Sequence, residues 1–293
     1  MRRLAGFFLL LATAGFAADP AVRDQVSDLF KHRQWAEAQP ILEKVIAAEP
    51  ANAEAHFFLG QVRIARGDHE HAVESLEKAT SLDPAKSEYF RVLGDAYGIS
   101  AQKGGLLSKF GWAKKCKAAY DKAVELDPKN VAARLSVMEY CRQAPGFVGG
   151  GMDGAYAQAA EIKKLDPPRG RQAYAGLYLS DKKYDAMLAE FDEVLKGAPD
   201  DYASLYQVGR FAVLSGQFLD RGLAALRHCL ELPVAPGEPG RAPTHWRIGG
   251  ILEKQGDRTG ARAAYEAALQ ADSRFPQAIE ALKKLDAAEP GKS

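Results

Sequence analysis

Proline recurs at Pro50, Pro84, Pro128, Pro167, Pro199 and Pro233, at intervals of 34, 44, 39, 32 and 34 residues. The segments before these prolines look alike: Ala79-Thr80-Ser81-Leu82-Asp83-Pro84, Ala123-Val124-Glu125-Leu126-Asp127-Pro128 and Ile162-Lys163-Lys164-Leu165-Asp166-Pro167. A fixed period of this size means that one small supersecondary unit is repeated and stacked, each copy burying its apolar face on the next. Proline closes each copy because it cannot continue a helix and pushes its predecessor out of the helical region. The composition agrees with helices, being rich in Ala and Leu and modest in aromatics.

The residues between the prolines resemble the tetratricopeptide repeat. Residues 53–86 fit best, with His56, Leu59-Gly60, Ala72, Leu76, Ala79 and Pro84. The next copy carries Phe90, Leu93-Gly94, Tyr97, Cys116, Tyr120, Ala123 and Pro128, and the last His245, Ile248-Gly249, Leu252, Gly256-Asp257, Ala261, Tyr265 and Ala268. The small residues let two antiparallel helices approach closely, and the Tyr or Leu fills the space beside that contact. Gly-Asp, at Gly67-Asp68 and Gly256-Asp257, ends one helix with a positive φ and helps start the next.

The resemblance implies an all-α fold: a right-handed α-solenoid of helix-turn-helix repeats with a C-terminal capping helix. Its repeats span 19–52, 53–86, 87–130, 131–167, 168–201, 202–233 and 242–273, with a cap over 274–286 and a flexible tail over 287–293. The first repeat lacks the glycine slot and carries Pro40 inside its second helix, where a kink is expected. The fifth places Met187 in the slot of the small Ala. Lys283 and Lys284 of the cap should face water.

The N-terminus reads differently. Met1-Arg2-Arg3, an apolar run from Leu4 to Phe16, and Gly15-Phe16-Ala17-Ala18 follow the order of a secretory signal peptide over residues 1–18. The run is shorter than the roughly 20 apolar residues that span a bilayer, so cleavage is expected rather than anchoring. The expected location is therefore periplasmic or secreted, with no membrane span after cleavage.

The chain has 39 Lys plus Arg against 38 Asp plus Glu, which excludes the concentrated basic surface that nucleic acid requires. Three cysteines, Cys116, Cys141 and Cys229, cannot make a disulfide framework. They read as free thiols packed as small hydrophobes, Cys116–Cys141 being the one pair that adjacent helices would carry.

No catalytic pattern appears. His69-Glu70-His71 places its imidazoles at i and i+2, which point apart on a helix, so no metal site is expected. Gly146-Phe147-Val148-Gly149-Gly150-Gly151 lacks the strand and Lys-Ser/Thr of a phosphate loop. It reads as a flexible connector whose Phe147 and Val148 can form a contact site. The insertion Ala101–Phe110, with Gly104-Gly105, reads as an extension of its helices, the alternative being a segment folded back on the groove.

A non-enzymatic adaptor without cofactor, binding a protein or peptide on its concave face, is the function that the resemblance implies. In that family the fifth and ninth positions of each repeat tend to face the groove. Carried over, they give Phe57, Gln61, Arg91, Asp95, Glu139, Gln172, Tyr206, Arg210 and Trp246 as candidate contacts. One branch of the family holds chain-terminal carboxylates with a Lys/Asn/Arg clamp. Phe57, Gln61, Arg91 and Asp95 do not reproduce it, so that activity is not expected. The alternative is an accessory or ligand-binding module of an envelope enzyme complex, using the loop 146–151.

Overall fold

The computed structural model describes residues 20–287; the expected signal peptide and nearly all of the expected tail lie outside them. Among the described residues there are fifteen α-helices, one short 3-10 turn and no strand. They divide into two compact bodies, one ending at Leu165 and the other starting at Asp166.

The N-terminal body contains α1 (Pro20–Lys31), α2 (Trp35–Ala48), α3 (Ala53–Arg66), α4 (His69–Leu82), α5 (Ser87–Lys103), α6 (Leu106–Leu126), α7 (Val131–Gln143) and α8 (Met152–Leu165). The C-terminal body contains α9 (Pro167–Ser180), α10 (Tyr184–Gly197), α11 (Tyr202–Ser215), α12 (Leu219–Glu231), α13 (Arg241–Lys254), α14 (Arg258–Ala271) and α15 (Pro276–Ala287). In each body, consecutive helices pack on one another.

The caps are written in the residues between helices. The Asn52, Asn130, Asp201 and Asp257 side chains each accept the N–H three residues on, satisfying a donor that the helix start leaves free. Gly67 ends α3 at φ 81°. Arg33 and Lys182 take positive φ in the turns before α2 and α10, where a glycine would be unstrained. Pro167 follows the end of α8 by two residues, as the other closing prolines follow their helices, and does a second job as well. It is the first residue of α9, where its missing N–H costs nothing, and Asp166 caps it. Pro40 lies within α2, which runs through it.

Helix pairs are set by one recurring contact. A Cβ built on Gly60 would stand 2.5 Å from Leu76, on Gly94 2.4 Å from Tyr120, on Gly209 2.2 Å from Leu226, and on Gly249 2.4 Å from Tyr265. Each glycine thus admits a large side chain of the next helix against its backbone. Ala38, Ala72, Ala123, Ala261 and Ala268 are fully buried in the small-residue slots. Met187 is also fully buried, within a continuous core that runs from Ala175 to Leu285. In the cap, Ala278 and Leu285 face inward while Lys283 and Lys284 are exposed.

Candidate partner-binding site

Two helices in the N-terminal body outgrow the rest. Most helices have 12 to 14 residues, but α5 has 17 and α6 has 21. The insertion thus extends both helices at the end where they meet.

The glycine-rich segment after α7 is a built turn rather than a flexible connector. Gly146–Val148 forms a 3-10 turn, Gly149 lies at φ 87° and Gly151 at φ 134°. The Gly151 N–H donates to the Cys141 carbonyl at 2.7 Å, and the Tyr140 hydroxyl to the Val148 carbonyl at 2.8 Å. A Cβ on Gly150 would stand 1.8 Å from the Ala144 carbonyl oxygen, so only glycine fits there. The turn presents Phe147, 68% exposed, edge-on to Phe110 of α6 at 5.0 Å between ring centres.

Beneath this aromatic pair lies a cleft of about 940 Å³ between α5, α6, α7 and the turn. Ile99, Phe110, Leu135, Phe147 and Val148 supply apolar walls. The Tyr120 hydroxyl donates to Asp95 Oδ1 at 2.7 Å, and Arg91 Nη1 donates to Asp95 Oδ2 at 2.8 Å. Burial pushes the Asp95 carboxyl above its ordinary value, against the pull of Tyr120 and Arg91. Cys116, in the same wall, is pushed up to about 12 by burial. Glu139 is held below its usual range by Arg142, and Gln143 also donates to it. Both acids of the cleft are therefore satisfied by the protein, which leaves its apolar surface as what it offers a ligand.

The nine groove positions separate. Asp95 and Glu139 come together in the cleft. Arg91 is engaged by Glu88 and Asp95, so it is not a free cation. Phe57 is a correction: it is 7% exposed and stacks on Tyr89 at 4.4 Å, because its ring turns from the groove onto α5 of the next repeat. Tyr206 is a second correction. It is 5% exposed, and its hydroxyl accepts a bond from Arg247. Gln61 is half-buried on α3, and Gln172 is exposed on α9. Arg210 is half-buried on α11; Trp246 is half-buried on α13 and meets Phe275 edge-on at 6.1 Å. Sequence reasoning missed Arg247 and Tyr120 as site residues; it singled out Phe147 but not its pairing with Phe110.

Of the histidine pair, His71 faces water and bonds Asp68 at 2.8 Å, while His69 is half-buried. Among the described residues no three His, Cys, Asp or Glu side chains are grouped to hold a metal ion. No described helix is long and apolar enough to cross a membrane.

Tetratricopeptide repeat profiles match residues 23–96, 97–130 and 242–275. The chain is a tetratricopeptide repeat protein. Its fold is similar to that of yeast Tom70 (TM-score 0.60, 17% identity, 87% of this chain and 52% of the other). It is also similar to a tetratricopeptide repeat protein of Parabacteroides merdae (TM-score 0.57, 16% identity, 91% and 97%). At those identities the likeness concerns fold alone. Among curated proteins, cellulose synthase operon protein C of Escherichia coli K12 is 29% identical over 126 residues. That match covers 41% of this chain and 11% of the relative, so this chain spans a small part of the curated relative.

Proposed function

We propose that this tetratricopeptide repeat protein is an exported, non-enzymatic adaptor that holds a protein partner by an apolar anchor seated in the α5–α6–α7 cleft. The observation that carries this reading is the meeting of Phe110 and Phe147 over a cleft whose acids are already paired. Two insertions, far apart in sequence, converge on one apolar opening. Exposed aromatic surface beside a preformed pocket is typical of interface anchors. Export rests on the charged, apolar and small-residue order of residues 1–18.

The experiment places a photo-crosslinking phenylalanine analogue at position 147 in cells, with position 78 on α4 as the control. A discrete protein crosslinked at 147 and not at 78 supports the reading, and its absence overturns it. Mass spectrometry of the same exported protein should show residues 1–17 or 1–18 removed; retention of Met1 would overturn cleavage and favour an uncleaved anchor instead.

A second reading has a specific observation behind it. The similarity to cellulose synthase operon protein C favours an accessory module of an envelope enzyme complex, with the glycine-rich turn 146–151 as its contact. A small molecule co-purifying in place of a protein would favour a ligand-binding version of that role.

A further inference from the structure

Arg210 and Arg247 in the C-terminal body are half-buried against aromatic rings and have no acidic partner among the described residues. Arg210 on α11 and Arg247 on α13 belong to helices that pack side by side. Arg247 Nε donates to the Tyr206 hydroxyl at 2.8 Å. Its guanidinium lies 5.2 Å from the Tyr206 ring centre and 5.1 Å from that of Trp246. Arg210 Nη1 donates to Gln207 Oε1 at 3.1 Å, and its guanidinium lies 5.2 Å from the Phe211 ring centre. No carboxylate among the described residues is within ion-pair distance of either, whereas Arg91, Arg142 and Arg221 each have one.

This arrangement is costly in the free protein. A half-buried guanidinium loses hydration, and Arg247, held on Tyr206 one turn before Arg210 on α11, brings a second cation to that face, which adds repulsion. Burial, then the charge of Arg247, pulls Arg210 below its ordinary value. A guanidinium has five N–H donors, and each of these uses one within the protein. The aromatic faces hold the planar groups without neutralising them.

We propose that Arg210 and Arg247 form a receptor for the side-chain carboxylates of an acidic segment in the partner protein, with Trp246 as its apolar neighbour. A carboxylate matches the guanidinium fork with two parallel bonds and removes the repulsion between the two cations. The segment is short, because the receptor is one arginine pair in a chain of 39 basic and 38 acidic residues. A polyanion such as nucleic acid or an anionic membrane needs a broad basic field instead. The inference rests on the adaptor reading but concerns a different surface from the Phe147 cleft.

Trp246 reports on the site directly. In the full chain carrying Trp35→Phe and Trp112→Phe, Trp246 is the remaining tryptophan. The probe is the capped peptide Glu-Glu-Phe-Glu-Glu at low salt, against its Gln counterpart and inorganic phosphate. The acidic peptide should change Trp246 emission saturably, and the Gln peptide should not. Arg210→Gln and Arg247→Gln should weaken binding on the order of tenfold or more, as loss of an arginine anchor does. Arg221→Gln, whose native partner is Asp192, should leave it unchanged. Should a Gln variant fail to fold, Arg210→Lys and Arg247→Lys keep the charge and remove the fork, and both should still weaken binding. Equal binding of the Gln peptide, a response to phosphate as strong as to the peptide, or indifference to the arginine changes overturns the proposal. Phe147→Ser should not affect this titration. Loss of the Phe147 crosslink with intact peptide binding, or the reverse, shows which of the two readings fails.

Discussion

Tyr120 closes over Gly94: a Cβ on Gly94 would stand 2.4 Å from its ring, and its hydroxyl reaches Asp95 at 2.7 Å. One residue therefore packs α6 against α5 and satisfies the half-buried acid that lines the cleft. The same small-against-large contact serves structure at Gly60, Gly209 and Gly249, but at Gly94 it also shapes a site.

Gly94→Ala should destabilise the protein by on the order of 1–3 kcal/mol, because the backbone or the Tyr120 ring must move. Gly98→Ala is the control with opposite sign. Its Cβ would meet Cys116 Sγ at an ordinary 3.5 Å, and alanine is better in a helix by up to about 1 kcal/mol. Urea unfolding followed by circular dichroism separates the two.

That contact was legible in the sequence, since glycine and Tyr or Leu recur at fixed offsets within one period. The closing prolines were legible for the same reason, Pro167 included, though its second role as the first residue of α9 was not. The cleft was not. Phe110 and Phe147 are brought together by the lengths of α5 and α6 and by a turn whose shape depends on Tyr140 and Ala144, so no local pattern announces it. Phe57 and Tyr206 misled because an aromatic at a groove-facing position can rotate onto the neighbouring repeat. Arg247 was missed because its significance lies in lacking an acid, which only three-dimensional surroundings reveal.

Phe57→Ala should cost about 3–5 kcal/mol, as loss of a buried aromatic does. Any binding defect in that variant should follow its loss of structure. Gln61→Ala, on the same helix and only half-buried, should stay within about 0.5 kcal/mol. Thermal unfolding of the pair checks this.

Cys116, Cys141 and Cys229 are free and buried, and burial pushes Cys116 and Cys229 up to about 12. Ellman's reagent near pH 8 should therefore label all three slowly in the native protein and rapidly in urea. Fast native labelling at all three would contradict their burial.

Acid should weaken the fold through two histidines. Burial lowers His56 and His245 from 6.5, so the unfolded chain binds protons there that the native state does not. Stability then rises with pH through that window and is lost as pH falls below 6.5. Asp95, whose carboxyl is raised, acts with the opposite sign above 3.8. Between about pH 7.5 and 5.5 the wild type should lose more Tm than His245→Gln, because only the wild type carries that titrating group. Equal losses would contradict the assignment to His245.

The central claim is that the α5–α6–α7 cleft seats the partner, and the partner's affinity tests it once crosslinking at position 147 has identified it. Phe147→Ser removes the exposed ring, and Gly98→Leu places a side chain at a cleft-lining position without a backbone clash. Calorimetric titration of the isolated partner should show each change weakening binding on the order of tenfold or more, with Tm and helical signal retained. Unchanged affinity in both variants would contradict the account.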